Sequence, residues 1–259
     1  MSGSGYTVSS HRDRTGGTGR VEALTCDPRI HVNNSPLVSV VIPTRNEAGC
    51  IAQTLASLRS LRTAGHEVIV VDAGSTDATQ ALASGECDRI ITSSPGRARQ
   101  QNAGARIARG DVFWFVHADT QIPSAAANEL LACVAKQPNC WGRFDVRFTS
   151  SRLALRIVAK CMNLRSRLTA IATGDQGLFV SREYFQRLHG FADQALMEDV
   201  ELTRRLKRIA PPHCLSSPIV TSSRRWETRG ILRTILLMWW LRAAYFFGVD
   251  TQRLARWYA

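Results

Sequence analysis

The chain is poor in acidic residues and has neither closely spaced cysteines nor a glycine-rich turn after its first strand, and each shortage closes off a class of protein. Asp and Glu number 21 against 33 Lys and Arg, a formal net charge of +12 over 259 residues. Such an excess favours anionic partners through the summed field, and nucleic acid, anionic lipid and phosphorylated substrates are all compatible with it. The seven cysteines (Cys26, Cys50, Cys87, Cys133, Cys140, Cys161, Cys214) are odd in number and scattered, with no CxxC pair for zinc or redox chemistry. They read as reduced thiols of a cytoplasmic protein. The N-terminus lacks the basic flank and the run of about 7–15 apolar residues of a secretory signal, so export is not expected. No GxGxxG follows the strand Val38 to Ile42, which argues against a dinucleotide-dependent oxidoreductase. The same place holds Pro43-Thr44-Arg45-Asn46-Glu47 rather than a glycine-rich basic loop, which counts against a nucleotidyltransferase that makes a nucleotide sugar. The aromatic-rich basic motif of an RNA reader is also missing, so nucleic acid is not an expected partner. A non-enzymatic module binding anions or membrane ranks behind these enzyme readings.

What is present is ordinary for a folded globule: 44% hydrophobic and 21% charged residues, enough apolar surface for one large core. Residues 1 to about 35, rich in Ser, Gly, Thr and Arg, carry no apolar period and are expected to be disordered. After Pro36, short β-branched runs alternate with helical patterns: Val38–Ile42 then Ala48–Leu61, Glu67–Val71 then Asp77–Ser84, Arg89–Thr92 then Gly96–Ala108, Val112–Val116 then Ser124–Lys136. Four successive βα units predict an α/β fold with a mostly parallel sheet and helices on both faces. Beyond Pro138 the expected elements are a strand at Gly142–Phe148, a helix at Leu153–Leu168, a strand at Gly177–Val180 and a helix at Glu198–Ile209. The expected organisation is a main domain over 36–228 and a C-terminal apolar helical extension over 229–259.

In such sheets ligands bind outside the carboxyl ends of the strands. Asp72, at the end of the second strand, is placed to accept from a nucleoside base or hydroxyl, with Gly74 permitting close approach, or else belongs to a plain turn. Asp119 stands where a carboxylate would hold Mg²⁺ or Mn²⁺ bridging two phosphates, or is a turn residue. His117, two residues earlier, is a ribose or metal contact or a structural histidine. Arg97 and Arg99 open a helix whose free N–H groups suit phosphate, a solvated basic face being the alternative. Glu198 and Asp199 lie in the first turn of another helix, as caps or as the base that deprotonates an acceptor.

The stretches Val38-Ser39-Val40-Val41-Ile42-Pro43-Thr44-Arg45-Asn46-Glu47, Val70-Val71-Asp72-Ala73-Gly74-Ser75-Thr76-Asp77, Phe115-Val116-His117-Ala118-Asp119 and Met197-Glu198-Asp199-Val200-Glu201-Leu202 resemble, in order and spacing, glycosyltransferase family 2 with its GT-A fold. The resemblance runs from Val38 to about Trp226. It implies that Pro43, Thr44, Arg45 and Glu47 surround a nucleotide, that Asp72 binds its base, that Asp119 ligates the metal of the DxD element and that Asp199 is the general base of an inverting transfer. The donor implied is a nucleotide diphosphate sugar, UDP-linked first of all, carrying a hexosyl or N-acetylhexosaminyl unit. Asp175 and Gln176, within Gly174-Asp175-Gln176-Gly177, are implied on the acceptor side, with Arg225 and Trp226. His117 stands where the first Asp of DxD is common, and Ser222-Ser223-Arg224-Arg225-Trp226 lacks the Gln of the QxxRW element, so a processive polymerase is not inferred. The arrangement also resembles a small bacterial subgroup described next to radical-SAM enzymes and arsenosugar or selenium metabolism.

Residues 231–249 approach the length of a membrane span, but Arg233 and Arg242 interrupt them, so a transmembrane helix is not expected. With Trp239, Trp240, Tyr245 and Phe246 the segment suits packing on its own domain, a membrane interface on the inner face, or a second copy of the chain. A membrane seat would favour a lipid-linked acceptor over a small molecule.

Overall fold

The computed structural model describes residues 36–258; the N-terminal stretch expected to be disordered lies outside the described residues. Strand β1, Val38–Thr44, is apolar on both sides: Val38, Val40 and Ile42 enter one core layer and Val41 the other. Burial on both faces is what a strand inside a parallel sheet requires. Chain order then runs α1 (Ile51–Ser57), α2 (Arg59–Thr63), β2 (Glu67–Asp72), α3 (Thr79–Ala83), β3 (Arg89–Thr92), α4 (Arg97–Ile107), β4 (Val112–Phe115), β5 (Thr120–Gln121) and α5 (Ser124–Lys136). The second half supplies β6 (Trp141–Phe148), α6 (Leu153–Thr169), β7 (Phe179–Ser181), α7 (Arg182–Arg187), α8 (Glu198–Leu206), β8 (His213–Thr221), α9 (Arg224–Arg229), α10 (Ile231–Phe246) and α11 (Thr251–Tyr258).

The eight strands form one sheet in the order β3-β2-β1-β4-β7-β6-β8-β5. The pairs β1–β2, β1–β4 and β2–β3 are parallel, as the four βα units require, and β6–β8 is parallel as well. β7 runs antiparallel to both β4 and β6, because it leads into α7 beside the start of β4, where the Arg182 N–H donates to the Asp111 carbonyl at 2.7 Å. Below the sheet, Val40, Val70 and Trp114 pack with Ile51, Leu55, Leu130 and Leu155; above it, Val41, Ile69 and Phe113 pack with Ala98, Phe185, Leu202 and Leu206. Helix α4 lies tight on the sheet through Gly104, where a Cβ would come within 2.4 Å of Val41 Cγ1. That close seat sets the height of the α4 N-terminus, and therefore of Arg97, over the strand ends.

Two regions depart from the expectations. No strand is expected from the sequence over residues 213–221; β8 accommodates Pro218 because the register slips between Leu215↔Phe144 and Ile219↔Val146, so Pro218 falls in a bulge where no ladder donor is needed. The C-terminal apolar stretch ends as a helix at Phe246, turns at Gly248 and continues as α11. Leu241, Ala244 and Leu254 pack on Leu196 and Met197, ahead of α8, while Leu232, Leu236, Trp239, Trp240 and Phe246 stay exposed. No helix among the described residues is long and apolar enough to cross a membrane.

Candidate active site

The ends of β1 and β4 and the start of α4 open into a cavity of about 590 Å³, lined by Pro43, Thr44, Arg45, Glu47, Arg97, His117 and Asp119. A second cavity of about 430 Å³ lies beside it, reaching Asp199, Arg165 and the apolar side chains of α6 and α10. His117, Asp175, Arg97, Glu198 and Trp226 belong to both and form the wall between them.

Asp119 sits in the larger cavity, partly buried, and its carboxylate accepts no hydrogen bond from another side chain among the described residues. Burial raises its pKa, and the nearby charges of Asp175 and Glu47 push the same way against His117. The group is an oxygen donor short of positive charge, with further carboxylates and an imidazole at hand. That donor set suits a hard divalent cation, which takes oxygen ligands and is often held by one or two protein carboxylates with phosphates completing the shell. The sulfur-rich trio Cys133, Cys140 and His213 lines neither cavity, although its ligand atoms lie within 4.8 Å of one another.

The wall between the cavities is organised by the tight turn Gly174–Gln176. Asp175 Oδ1 lies 3.2 Å from His117 Nδ1, and the Gly174 N–H donates to Asp199 Oδ2 at 2.5 Å. Burial alone would raise the Asp175 pKa, but the bond and charge of His117, with Arg97 and Arg225, outweigh it and hold the carboxyl low. A Cβ at Gly174 would stand 2.5 Å from His117 Nε2, so only glycine allows the imidazole this position. Asp199, in the first turn of α8, also takes the Val200 N–H on Oδ1 at 2.6 Å, which fixes its carboxylate with one edge toward the second cavity.

Glu198 is 2% exposed and faces Arg97 across 3.4 Å. Burial raises its pKa, as does Asp199, while Arg97 works against both. Burial also opposes the charge of Arg97, but Glu198 and the other acidic groups around it prevail and hold the guanidinium above its ordinary value. Glu198 thus anchors the one arginine of the α4 N-terminus that faces the larger cavity.

Four expected site residues lie off the cavities. Asp72 is fully buried and accepts from the Gly74 and Ser75 N–H groups, Ser75 Oγ, Gln80 Nε2 and Thr44 Oγ1, at 2.5–3.2 Å. Its carboxylate is engaged in shaping its own turn, with Gly74 at φ +75° as part of that turn. Arg99 points outward into a salt bridge with Asp193 at 2.8 Å. Gln176 is buried and caps its turn against Thr173 while donating to Ser166 Oγ at 2.9 Å. Arg225, expected on the acceptor side, lines the larger cavity, its guanidinium 4.0 Å over the Tyr258 ring. The cavity walls also include residues that no motif singled out. Gln100 Nε2 ties the carbonyls of Thr44 and Val71 at 2.9 and 2.8 Å, and Arg224 pairs with Glu47 at 3.6 Å. Gln100 lies one helical turn after Arg97, a spacing that could have marked it.

The family model for glycosyl transferase family 2 matches residues 39–181. The probable glycosyltransferase YdaM of Bacillus subtilis is 28% identical over 202 residues, covering 69% of this chain and 48% of its own length. Among solved structures, TarS 1–349 of S. aureus in complex with UDP aligns with TM-score 0.59 at 17% identity, over 72% of this chain and 60% of that one. Glucosyl-3-phosphoglycerate synthase of Mycobacterium tuberculosis, in complex with Mn²⁺, UDP and glucosyl-3-phosphoglycerate, aligns with TM-score 0.54 at 20% identity, over 71% and 70%. The curated relatives that this chain matches are about twice its matched length or longer, the chain spanning 31–48% of the first four. The structural likenesses establish the GT-A-type fold, and with a family match over more than half of its residues, from β1 through β7, the chain belongs to glycosyl transferase family 2.

Proposed function

We propose that the protein is an inverting glycosyltransferase that moves a sugar from a nucleoside diphosphate donor, UDP-linked in the first instance, to an acceptor held in the smaller cavity. The observation that carries this reading is the placement of a carboxylate that takes no hydrogen bond from another side chain, Asp119, and an oriented one, Asp199, in adjoining cavities that share the His117–Asp175 wall. Pro43, Thr44, Arg45 and Glu47 hold the nucleotide, with Asp72 shaping the neighbouring turn from behind. Mn²⁺ or Mg²⁺ held by Asp119, with His117 beside it, would supply the positive charge that a diphosphate leaving group calls for. Asp199 takes the proton of the acceptor nucleophile as that atom bonds to the anomeric carbon; the bond from this carbon to the diphosphate oxygen breaks, its electron pair stays on the nucleoside diphosphate, and Arg97, positioned by Glu198, faces the new charge. The complexes of the structural neighbours with UDP and Mn²⁺ support the donor and the metal. The exposed apolar face of α10 supports peripheral membrane contact, and the free thiols described suit a reducing compartment. The resemblance to the subgroup near radical-SAM enzymes is an association and identifies no acceptor.

Calorimetric titration with UDP, with and without Mn²⁺, tests the donor site. Metal-dependent binding in the wild type and its loss in Asp119→Ala are expected, while Asp199→Asn keeps binding and loses about 10²–10⁴-fold in turnover. Absence of binding by UDP, GDP and dTDP with either metal would overturn the reading.

A further inference from the structure

Two guanidinium groups in the smaller cavity have no part in the chemistry above. Arg165 of α6 and Arg242 of α10 both line it beside Asp199. Arg165 Nε and Nη2 are buried without a partner, and neither guanidinium forms a hydrogen bond or salt bridge among the described residues. The other inward-facing arginines differ: Arg143 pairs with Asp145, Arg97 with Glu198 and Arg205 with Glu201. Burial depresses Arg165, and the charge of Arg242 adds to this, bringing it to about 10 against the pull of Asp199; burial likewise depresses Arg242. Two cations facing one cavity, desolvated and mutually repelling, are unfavourable unless something anionic joins them.

The rest of that cavity is largely apolar, with Ile157, Met162, Ile235 and Trp239 among its walls. A neutral apolar ligand would leave the guanidiniums unpaired, and a cation would be repelled. One arginine already satisfies a carboxylate through two parallel bonds, so two converging forks suit the larger, doubly charged oxygen set of a phosphate. We propose that Arg165 and Arg242 bind a phosphate-class oxyanion carried by the acceptor, whose apolar portion lies between α6 and α10 and whose nucleophile faces Asp199. The term acceptor rests on the glycosyltransferase reading; the oxyanion site does not.

The test uses the full chain and follows tryptophan fluorescence, since Trp226 and Trp239 line the cavity. Dodecyl phosphate below its micellar concentration, inorganic phosphate and dodecanol are titrated into the wild type, Arg165→Gln, Arg242→Gln and Arg156→Gln, the last removing an equal charge from the exposed side of α6. Dodecyl phosphate is expected to bind the wild type, with Kd about tenfold or more weaker in Arg165→Gln and Arg242→Gln and unchanged in Arg156→Gln. Both cavity variants are expected to melt no lower than wild type without ligand, because each removes a partly desolvated charge that has no hydrogen-bond partner. Binding of inorganic phosphate with the same arginine dependence assigns the site to a free oxyanion, and binding of the amphiphile alone assigns it to a lipid-type phosphate. Equal binding of dodecyl phosphate by wild type and both cavity variants, or equal binding of dodecanol, overturns the proposal. UDP, GDP and dTDP with either metal are titrated in parallel: the failure of all three in the wild type would sink the glycosyltransferase reading, whereas the oxyanion site stands or falls on its own titration.

Discussion

Asp72 and Asp119 each follow a buried strand of the same sheet, and the structure gives them opposite circumstances. Burial would raise both pKa values; at Asp72 the hydrogen bonds from Ser75, Gln80 and Thr44 overcome it and hold the carboxyl low, whereas at Asp119 nothing comparable does and the carboxyl is held high. The signs of their contributions to stability follow. Asp72 adds stability above the ordinary carboxylate pKa, and that contribution disappears as pH falls through its lower folded value. The ionised Asp119 penalises the fold above its raised folded value, and the penalty disappears as pH falls below the ordinary value. Asp119→Asn is therefore expected to raise the metal-free Tm at neutral pH by about 2–4 °C, with the gain gone near pH 4. Mn²⁺ with UDP should stabilise the wild type and not the variant. Differential scanning calorimetry across pH checks this, and an unchanged or lowered Tm at neutral pH would contradict it. The local turn residues Gly74, Ser75 and Gln80 mark Asp72 as a turn carboxylate, whereas the charges that act on Asp119, from Glu47 and Asp175, arrive from distant positions in the chain.

At the scale of elements, the βα units of the first half were legible because β1, β2 and β4 are apolar and buried, β3 is a short β-branched run, and their helices repeat apolar residues on one side. α5 occupies the residues its pattern predicts. α7 and β8 were not legible: α7 is only six residues, and the bulge at Ser216–Pro218 breaks the alternation that marks a strand. The Gly174–Gln176 turn, implied on the acceptor side by the family resemblance, joins His117 to Asp199 across the cavity wall. Gly174→Ala would place a methyl carbon 2.5 Å from His117 Nε2, so the imidazole or the turn must shift. Turnover is expected to fall by about tenfold or more, while the far-UV circular dichroism spectrum stays that of the wild type. Wild-type kinetics in this variant would remove the turn from the proposed mechanism.

For the molecule as a whole, charge and exposed apolar surface act together. On the proposed membrane contact, the net charge of +12 would favour anionic surfaces, and the exposed side chains of Leu232, Leu236, Trp239, Trp240 and Phe246 would offer an apolar face there. Cosedimentation with vesicles containing phosphatidylglycerol is expected for the wild type and reduced at least severalfold by the double substitution Leu236→Glu, Trp240→Glu, each charge replacing an apolar group at the interface. Sedimentation velocity without lipid checks the competing occupant, a second copy of the chain; a stable dimer that the double substitution dissociates would assign the face to self-association. The sequence by itself determined the α/β class, the order of the first strands and helices, and the family, since these depend on local periodicity and on short motifs contiguous in the chain. Only the tertiary structure decided which carboxylate is left without a side-chain donor, which guanidinium groups face a cavity unpaired and which side of α10 is covered. Those properties depend on desolvation and on neighbours brought in from distant segments, and no local pattern records them.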